Sequence, residues 1–195
     1  RISFISKNKE FNEEFYPYIN LFNEFYGAGL SSIVFQEIRE SRGLVYSAYA
    51  YLSTPKKRKD HHYLYAALST QPDKMKVAMD AMTDLLNNMP EAEKQFEAAK
   101  ESALKKLESK RVTKSNIFWT YLGLKKLGID YNIDKETYAK IKEMTYEDFK
   151  KFFKENIANK KFDITIVGKK DNINFKQIKE YGKIEELGLD DIFNY

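Results

Sequence analysis

Cysteine is missing altogether from the 195 residues, and histidine occurs only twice. The first absence excludes disulfides and thiolate metal sites. With no third histidine either, the chain is not expected to assemble a catalytic zinc site of its own. No run of about 18 apolar residues occurs, so no transmembrane helix is expected, and no signal peptide is visible. Because the chain begins at Arg1 rather than Met, it reads as a piece of a longer protein, and the missing signal says nothing of the parent's location. Charge of one sign is lacking too: 33 basic and 29 acidic residues leave a net +4, far from the clustered excess of a nucleic-acid binder.

What is present fits a soluble globular chain, with 43% hydrophobic and 32% charged residues. The length suits one large domain or two small ones. Tryptophan occurs once, against fourteen Phe and fourteen Tyr. Tyrosine-rich surfaces are part apolar and part hydrogen-bonding, which suits grooves and interfaces.

Along the chain, Arg1–Lys7 (RISFISK) reads as a strand. From Asn8 to Tyr26, apolar residues at spacings of three and four predict a helix, with Pro17 delaying or bending its start. Gly27-Ala28-Gly29 breaks the pattern. Ser31 or Ser32 caps a second helix, with Ile33, Val34, Phe35 and Ile38 as its apolar side, and Gly43 ends it. Val45–Ser53 and His61–Thr70 read as an antiparallel hairpin with a solvated tip at Thr54–Asp60 (TPKKRKD). Alternation places Tyr46, Ala48, Ala50 and Leu52 on one face of the first strand.

Pro72 opens a helical middle, where Met75, Ala78, Met82, Leu85 and Met89 form one stripe. Helices follow over Glu91–Arg111, Asn116–Leu127 (very apolar, stopped by Gly128), Asp134–Met144 and Thr145–Asn156. Thr145 and Asp148 form a capping box in the last of these. Phe162–Gly168 (FDITIVG) reads as a buried strand and Phe175–Tyr181 as a short helix before an acidic-apolar end. The order predicts an α+β fold: a mainly antiparallel β-sheet with helices packed on one face.

The chain holds little self-sufficient chemistry. His61 and His62 are strand neighbours pointing to opposite faces, poorly placed to grip one ion, and neither H-E-x-x-H nor H-x-x-E-H is present. Gly27-Ala28-Gly29 follows a helix and lacks the Lys-Ser/Thr of a phosphate loop, so it reads as a helix–helix turn. The basic stretches Lys56–Lys59 and Lys100–Lys114 read as solvated faces, the latter interleaved with Glu101 and Glu108. The segment Phe35–Tyr46 (FQEIRESRGLVY) is different. It sets Arg39 near a helix end and Tyr46 at a strand start, with Gly43 permitting the turn between. A guanidinium fork and a phenol there offer donors to carbonyl oxygens, and a Tyr hydroxyl can stabilise an oxyanion. The residues alone leave this reading level with a salt-bridged Arg39 and a packed Tyr46.

The run Phe22–Ser47 (FNEFYGAGLSSIVFQEIRESRGLVYS) resembles the later half of the pitrilysin/insulysin family of zinc peptidases. So do Ser69–Lys74 (STQPDK), Met89-Pro90, Tyr138…Met144-Thr145 and the Ile166–Gly168 strand end, so that the likeness covers nearly the whole chain. Ala28 stands where that family often has glycine, and the resemblance implies that the first strand of the full domain is missing. The stretch Leu189–Tyr195 (LDDIFNY) resembles the natural end of long bacterial members.

The resemblance implies a pitrilysin/LuxS-like metallopeptidase domain. Residues 1–195 would be a single, catalytically silent C-terminal domain of a larger protein. Another domain of the same polypeptide would hold zinc on an inverted H-x-x-E-H helix, the two closing a chamber around a peptide substrate. Arg39 would hold substrate main chain and Tyr46 would meet the transition state, while Gly27 and Gly29 form a turn near the chamber wall. This chain alone would bind no metal and cleave nothing, with zinc as the cofactor of the partner domain. No nucleic acid and no membrane insertion are expected. Family habit, with the missing cysteines, points to a periplasmic or exported bacterial protein. The alternative is a non-peptidase relative acting as a structural or partner subunit.

Overall fold

Period-two alternation sets the architecture. In the computed structural model, which describes residues 1–193, strand β1 (Ile2–Glu10) turns Ile2, Phe4, Ser6 and Asn8 inward, with Ser3, Ile5 and Lys7 on the other side. The strand runs three residues beyond the stretch expected, so the helical block starts later than Asn8. β3 (His61–Thr70) lies antiparallel to β1, Ala66 opposite Phe4, and β2 (Val45–Leu52) pairs with β3, Ala50 opposite Ala66. β4 (Asp163–Ile166) pairs with the other side of β1, giving the order β2-β3-β1-β4. β4 is an edge strand and only half-buried, contrary to the buried strand its β-branched residues predict. Its hydrophobics Ile164 and Ile166 cover one face, while Asp163 and Thr165 stay exposed.

The helices cover the face that holds Ile2, Phe4, Ala50, Leu52, Leu64, Ala66 and Leu68. Short α1 (Tyr16–Leu21) runs into a wider π-helical turn, Phe22–Gly27. α2 (Ile33–Phe35) likewise continues into a π turn, Gln36–Glu40. α3 (Met75–Asn87) buries Met75, Ala78, Met82 and Leu85 of the stripe read from spacing, while Met89 lies beyond its end and is half-buried. α4 (Glu93–Ser109) contributes Phe96, and α7 (Tyr146–Asn156) contributes Phe149 and Phe153. Phe25, Phe96 and Phe149 form a triad with centroids 5.4 to 5.6 Å apart. Each such buried ring contributes roughly 1.5–3 kcal/mol from burial. The start of α7 is fixed by the capping box expected there: Asp148 N–H donates to Thr145 Oγ1 (3.1 Å) and Thr145 N–H to Asp148 Oδ2 (3.0 Å).

Two further elements depart from expectation. The hairpin tip is not wholly solvated: Pro55 is buried, and Arg58 N–H and Nη1 donate to the carbonyls of Lys126 (3.3 Å) and Leu127 (3.2 Å). α5 (Lys114–Lys126) is apolar as read, yet no residue in it is buried. α6 (Ile133–Glu143), α8 (Phe175–Ile178) and α9 (Leu189–Phe193) complete the chain. Of the LDDIFNY stretch, Asn194 and Tyr195 lie outside the described residues.

Candidate functional site

The corner joining α2 to β2 is closed by local hydrogen bonds. Ser32 Oγ accepts from the Phe35 N–H at 3.3 Å, capping the helix. Ile33, Val34 and Ile38 are buried, which leaves Arg39 on the outer side. Around Gln36–Glu40 the helix widens, and the Ser41 N–H reaches back five residues to the Gln36 carbonyl at 2.8 Å. Widened turns of this kind are frequent at functional sites. Gly43 ends the helix at φ +58°, a left-handed conformation that suits glycine, with its N–H donating to the Arg39 carbonyl at 3.0 Å. Lys74 Nζ donates to the Gly43 carbonyl (3.1 Å) and Thr70 Oγ1 to the Leu44 carbonyl (2.6 Å), so the corner is also tied to the end of β3.

A β-bulge then decides where Tyr46 goes. Val45 lies opposite Thr70 and Ser47 opposite Ser69, so Tyr46 is an extra residue between them. Val45 and Ala48 stay buried while Tyr46 and Ser47 are both exposed. Tyr46 is therefore not on the face of Ala48, Ala50 and Leu52, as unbroken alternation predicts; it projects outward, 66% exposed. Gln71 Nε2 donates to the Tyr46 hydroxyl oxygen at 2.9 Å. That bond uses an acceptor lone pair and leaves the phenolic proton to be given outward. Accepting one hydrogen bond also polarises the hydroxyl as a donor.

Arg39 is partly exposed as well. Its guanidinium carbon lies 4.8 Å from the centre of the Phe35 ring, and Nη1 is 3.5 Å from Glu40 Oε1. At half-exposed positions such a pair is weak, worth about 0–1 kcal/mol, and it engages one nitrogen of the fork. The remaining donors stay available to carbonyl oxygens. Among the described residues, no hydrogen bond joins Arg39 to Tyr46; both are displayed at the same corner.

The other residues singled out from sequence have structural tasks. Gly27 is buried, and a Cβ on it would fall 2.2 Å from the Ala50 carbonyl oxygen, so glycine is required for the π turn to lie against β2. Gly29 is exposed at φ +99°, where the turn reverses. His62 is fully buried: Nε2 accepts from the Asn12 N–H (3.1 Å), so Nδ1 carries the proton and donates to the Ser53 carbonyl (2.8 Å). Burial holds its pKa below the ordinary histidine value. Both ring nitrogens are thus committed inside the core. Among the described residues, no group of three or more His, Cys, Asp or Glu side chains could hold a metal ion, so these residues do not fit a zinc site.

Sequence reasoning missed two contributors. Gln71 follows β3 and has no local signal of its bond to Tyr46. The uncovered sheet face carries Tyr49, Tyr51, Tyr63 and Tyr65, with Tyr51 opposite Tyr65 in the register. Here a signal did exist: Tyr alternates with the inward-facing residues of AYAYL and YLYA. Arg1 Nη2 donates to the Tyr49 hydroxyl at 3.1 Å.

Solved structures share this fold at low sequence identity. The peptidase M16 inactive domain from Pseudomonas fluorescens is 18% identical, with a TM-score of 0.68 over 86% of this chain and 42% of that one. An inactive peptidase domain from Bordetella parapertussis is 11% identical, with a TM-score of 0.68 over 87% of this chain and 91% of that one. A protease from Helicobacter pylori is 11% identical, with a TM-score of 0.67 over 84% of this chain and 39% of that one. The chain therefore spans less than half of the first and third and nearly all of the second. No curated protein shows a match to it. The family description Peptidase M16 inactive domain matches residues 2–103, and it agrees with the resemblance carried by the Arg39…Tyr46 corner: the chain belongs to that family.

Proposed function

We propose that this domain holds a peptide for a zinc peptidase whose metal is carried by another domain of the parent. Tyr46 would donate a hydrogen bond to the oxyanion that develops on the scissile carbonyl. Arg39 would hold substrate main-chain carbonyls through its fork. The observation that carries this reading is the Tyr46 hydroxyl, turned outward by a bulge and supplied with a hydrogen bond by Gln71. A tyrosine kept only for packing needs neither device. The open tyrosine face beside it supplies amphipathic surface suited to an extended peptide.

The metal chemistry would belong to the other domain. In the full-length parent, Tyr46→Phe is expected to lower kcat/KM on a peptide about tenfold or more, the loss of one oxyanion donor. An unchanged rate overturns the assignment. The isolated chain is expected to show no zinc-dependent proteolysis.

A further inference from the structure

α5 stands apart from the rest of the molecule. Ile117, Phe118, Trp119 and Tyr121 are 55%, 60%, 66% and 59% exposed. A helix apolar on all sides belongs in an interior, and an exposed apolar surface of this kind marks an interaction site. On one flank α5 borders a cleft of about 600 Å³, floored by Trp119, Leu124, Leu127, Ile133 and Pro55. The cleft rim is basic. Lys56, Lys110 and Lys126 line it, and the Arg58 bonds to the Lys126 and Leu127 carbonyls hold the basic hairpin tip beside it. Lys110 is paired with Asp134; among the described residues, no ion pair engages Lys56, Lys57, Lys59 or Lys126.

The same chain carries a surface of opposite kind. Beyond Ile184, which packs on the core, the segment Glu185–Ile192 holds Glu185, Glu186, Asp190 and Asp191. It also exposes Leu187 (61%), Leu189 (68%) and Ile192 (55%). Glu186 pairs with Lys170, and Asp191 Oδ2 accepts from the Gly188 N–H at 2.8 Å, starting α9. One apolar surface is framed by lysines and the other by carboxylates. Charge of this complementary sign steers association and fixes its register.

We propose that the α5 cleft receives the α9 segment of a second copy of this chain, reciprocally, in a closed two-fold dimer. Leu189 and Ile192 enter the apolar floor, and Asp190 meets the lysine rim. Reciprocal exchange uses both surfaces on both copies and leaves no open end for further addition.

Trp119 is the one tryptophan of the chain, so its fluorescence reads the cleft directly. Sedimentation velocity of the 195-residue chain is expected to show a monomer–dimer equilibrium, with Trp119 emission shifting to the blue as dimer forms. The exposed-site variants Trp119→Glu and Asp190→Lys/Ile192→Lys are each expected to weaken self-association about tenfold or more, with unchanged circular dichroism. Mixed together, they form a one-to-one heterodimer, since the first keeps an intact tail and the second an intact cleft. Five outcomes overturn the proposal. The wild-type chain could stay monomeric at every concentration, or its dimer could survive both variants unchanged. The mixed variants could fail to associate. The blue shift could be independent of concentration, or occur only on phosphatidylglycerol vesicles, which would make the occupant the chain's own tail or a membrane surface.

Discussion

At Leu52 the edge of β2 is closed. The Asn23 side chain accepts from the Leu52 N–H (2.9 Å) and donates to the Leu52 carbonyl (3.1 Å), standing in for a neighbouring strand. Two residues earlier, Gly27 lets the π turn press against the Ala50 carbonyl. Beneath, the fully buried Tyr26 donates its hydroxyl to the Leu85 carbonyl at 2.5 Å. At Tyr46, on the other end of the same strand, the pairing slips by one residue and the ring faces out. One end of β2 spends its polar groups on the fold; the other keeps a phenol and a guanidinium at the surface. Exposed edges invite unwanted pairing, so sealing one end while bulging the other lets the strand display Tyr46 without opening its whole edge.

The contrast can be broken at the sealed end first. Gly27→Val forces a side chain into the Ala50 carbonyl and is expected to cost about 3 kcal/mol or more. Thermal denaturation would read this as a Tm drop of roughly 6–12 °C. Asn23→Ala removes both bonds to Leu52 and is expected to cost about 2 kcal/mol, measured as a lower denaturation midpoint with an unchanged slope. Acid gives a third test. His62 is neutral in the folded state with its pKa lowered by burial, so the unfolded chain binds the proton more tightly. Its contribution is fully present above the ordinary histidine pKa and is lost progressively as pH falls from that value through the lowered pKa of the folded state. Stability measured against pH should decline there, and His62→Gln should flatten that step. The smallest stability effect belongs to the open end: Tyr46→Phe is expected to change it by no more than about 0.5 kcal/mol.

Much of the sealed region was legible in the sequence. The methionine stripe of α3, the Thr145–Asp148 capping box and the opposed faces of His61 and His62 follow from local spacing, which burial then obeys. The candidate corner was half legible. Its residues could be named, but their directions could not. The bulge at Tyr46 is a mismatch between two strands, and nothing in the alternation of YSAYAYL announces it. The π turns are likewise a matter of backbone hydrogen bonding rather than side-chain period. β4 shows the complementary limit: its β-branched residues predict a strand, while its place at the sheet edge depends on what pairs beyond it. α5 read as a very apolar helix, and composition does not say whether the surface that covers it lies within the chain.

The most direct test compares one substitution at two places in the full-length parent. Tyr26→Phe and Tyr46→Phe each remove a single hydroxyl, and both Tm and peptide kcat/KM are measured for each. The account predicts that Tyr26→Phe lowers Tm, about 1–3 kcal/mol being lost with an unpaired Leu85 carbonyl, and leaves kcat/KM near the parent value. It predicts that Tyr46→Phe leaves Tm unchanged and lowers kcat/KM about tenfold or more. An unchanged kcat/KM for Tyr46→Phe, at unchanged Tm, would contradict it.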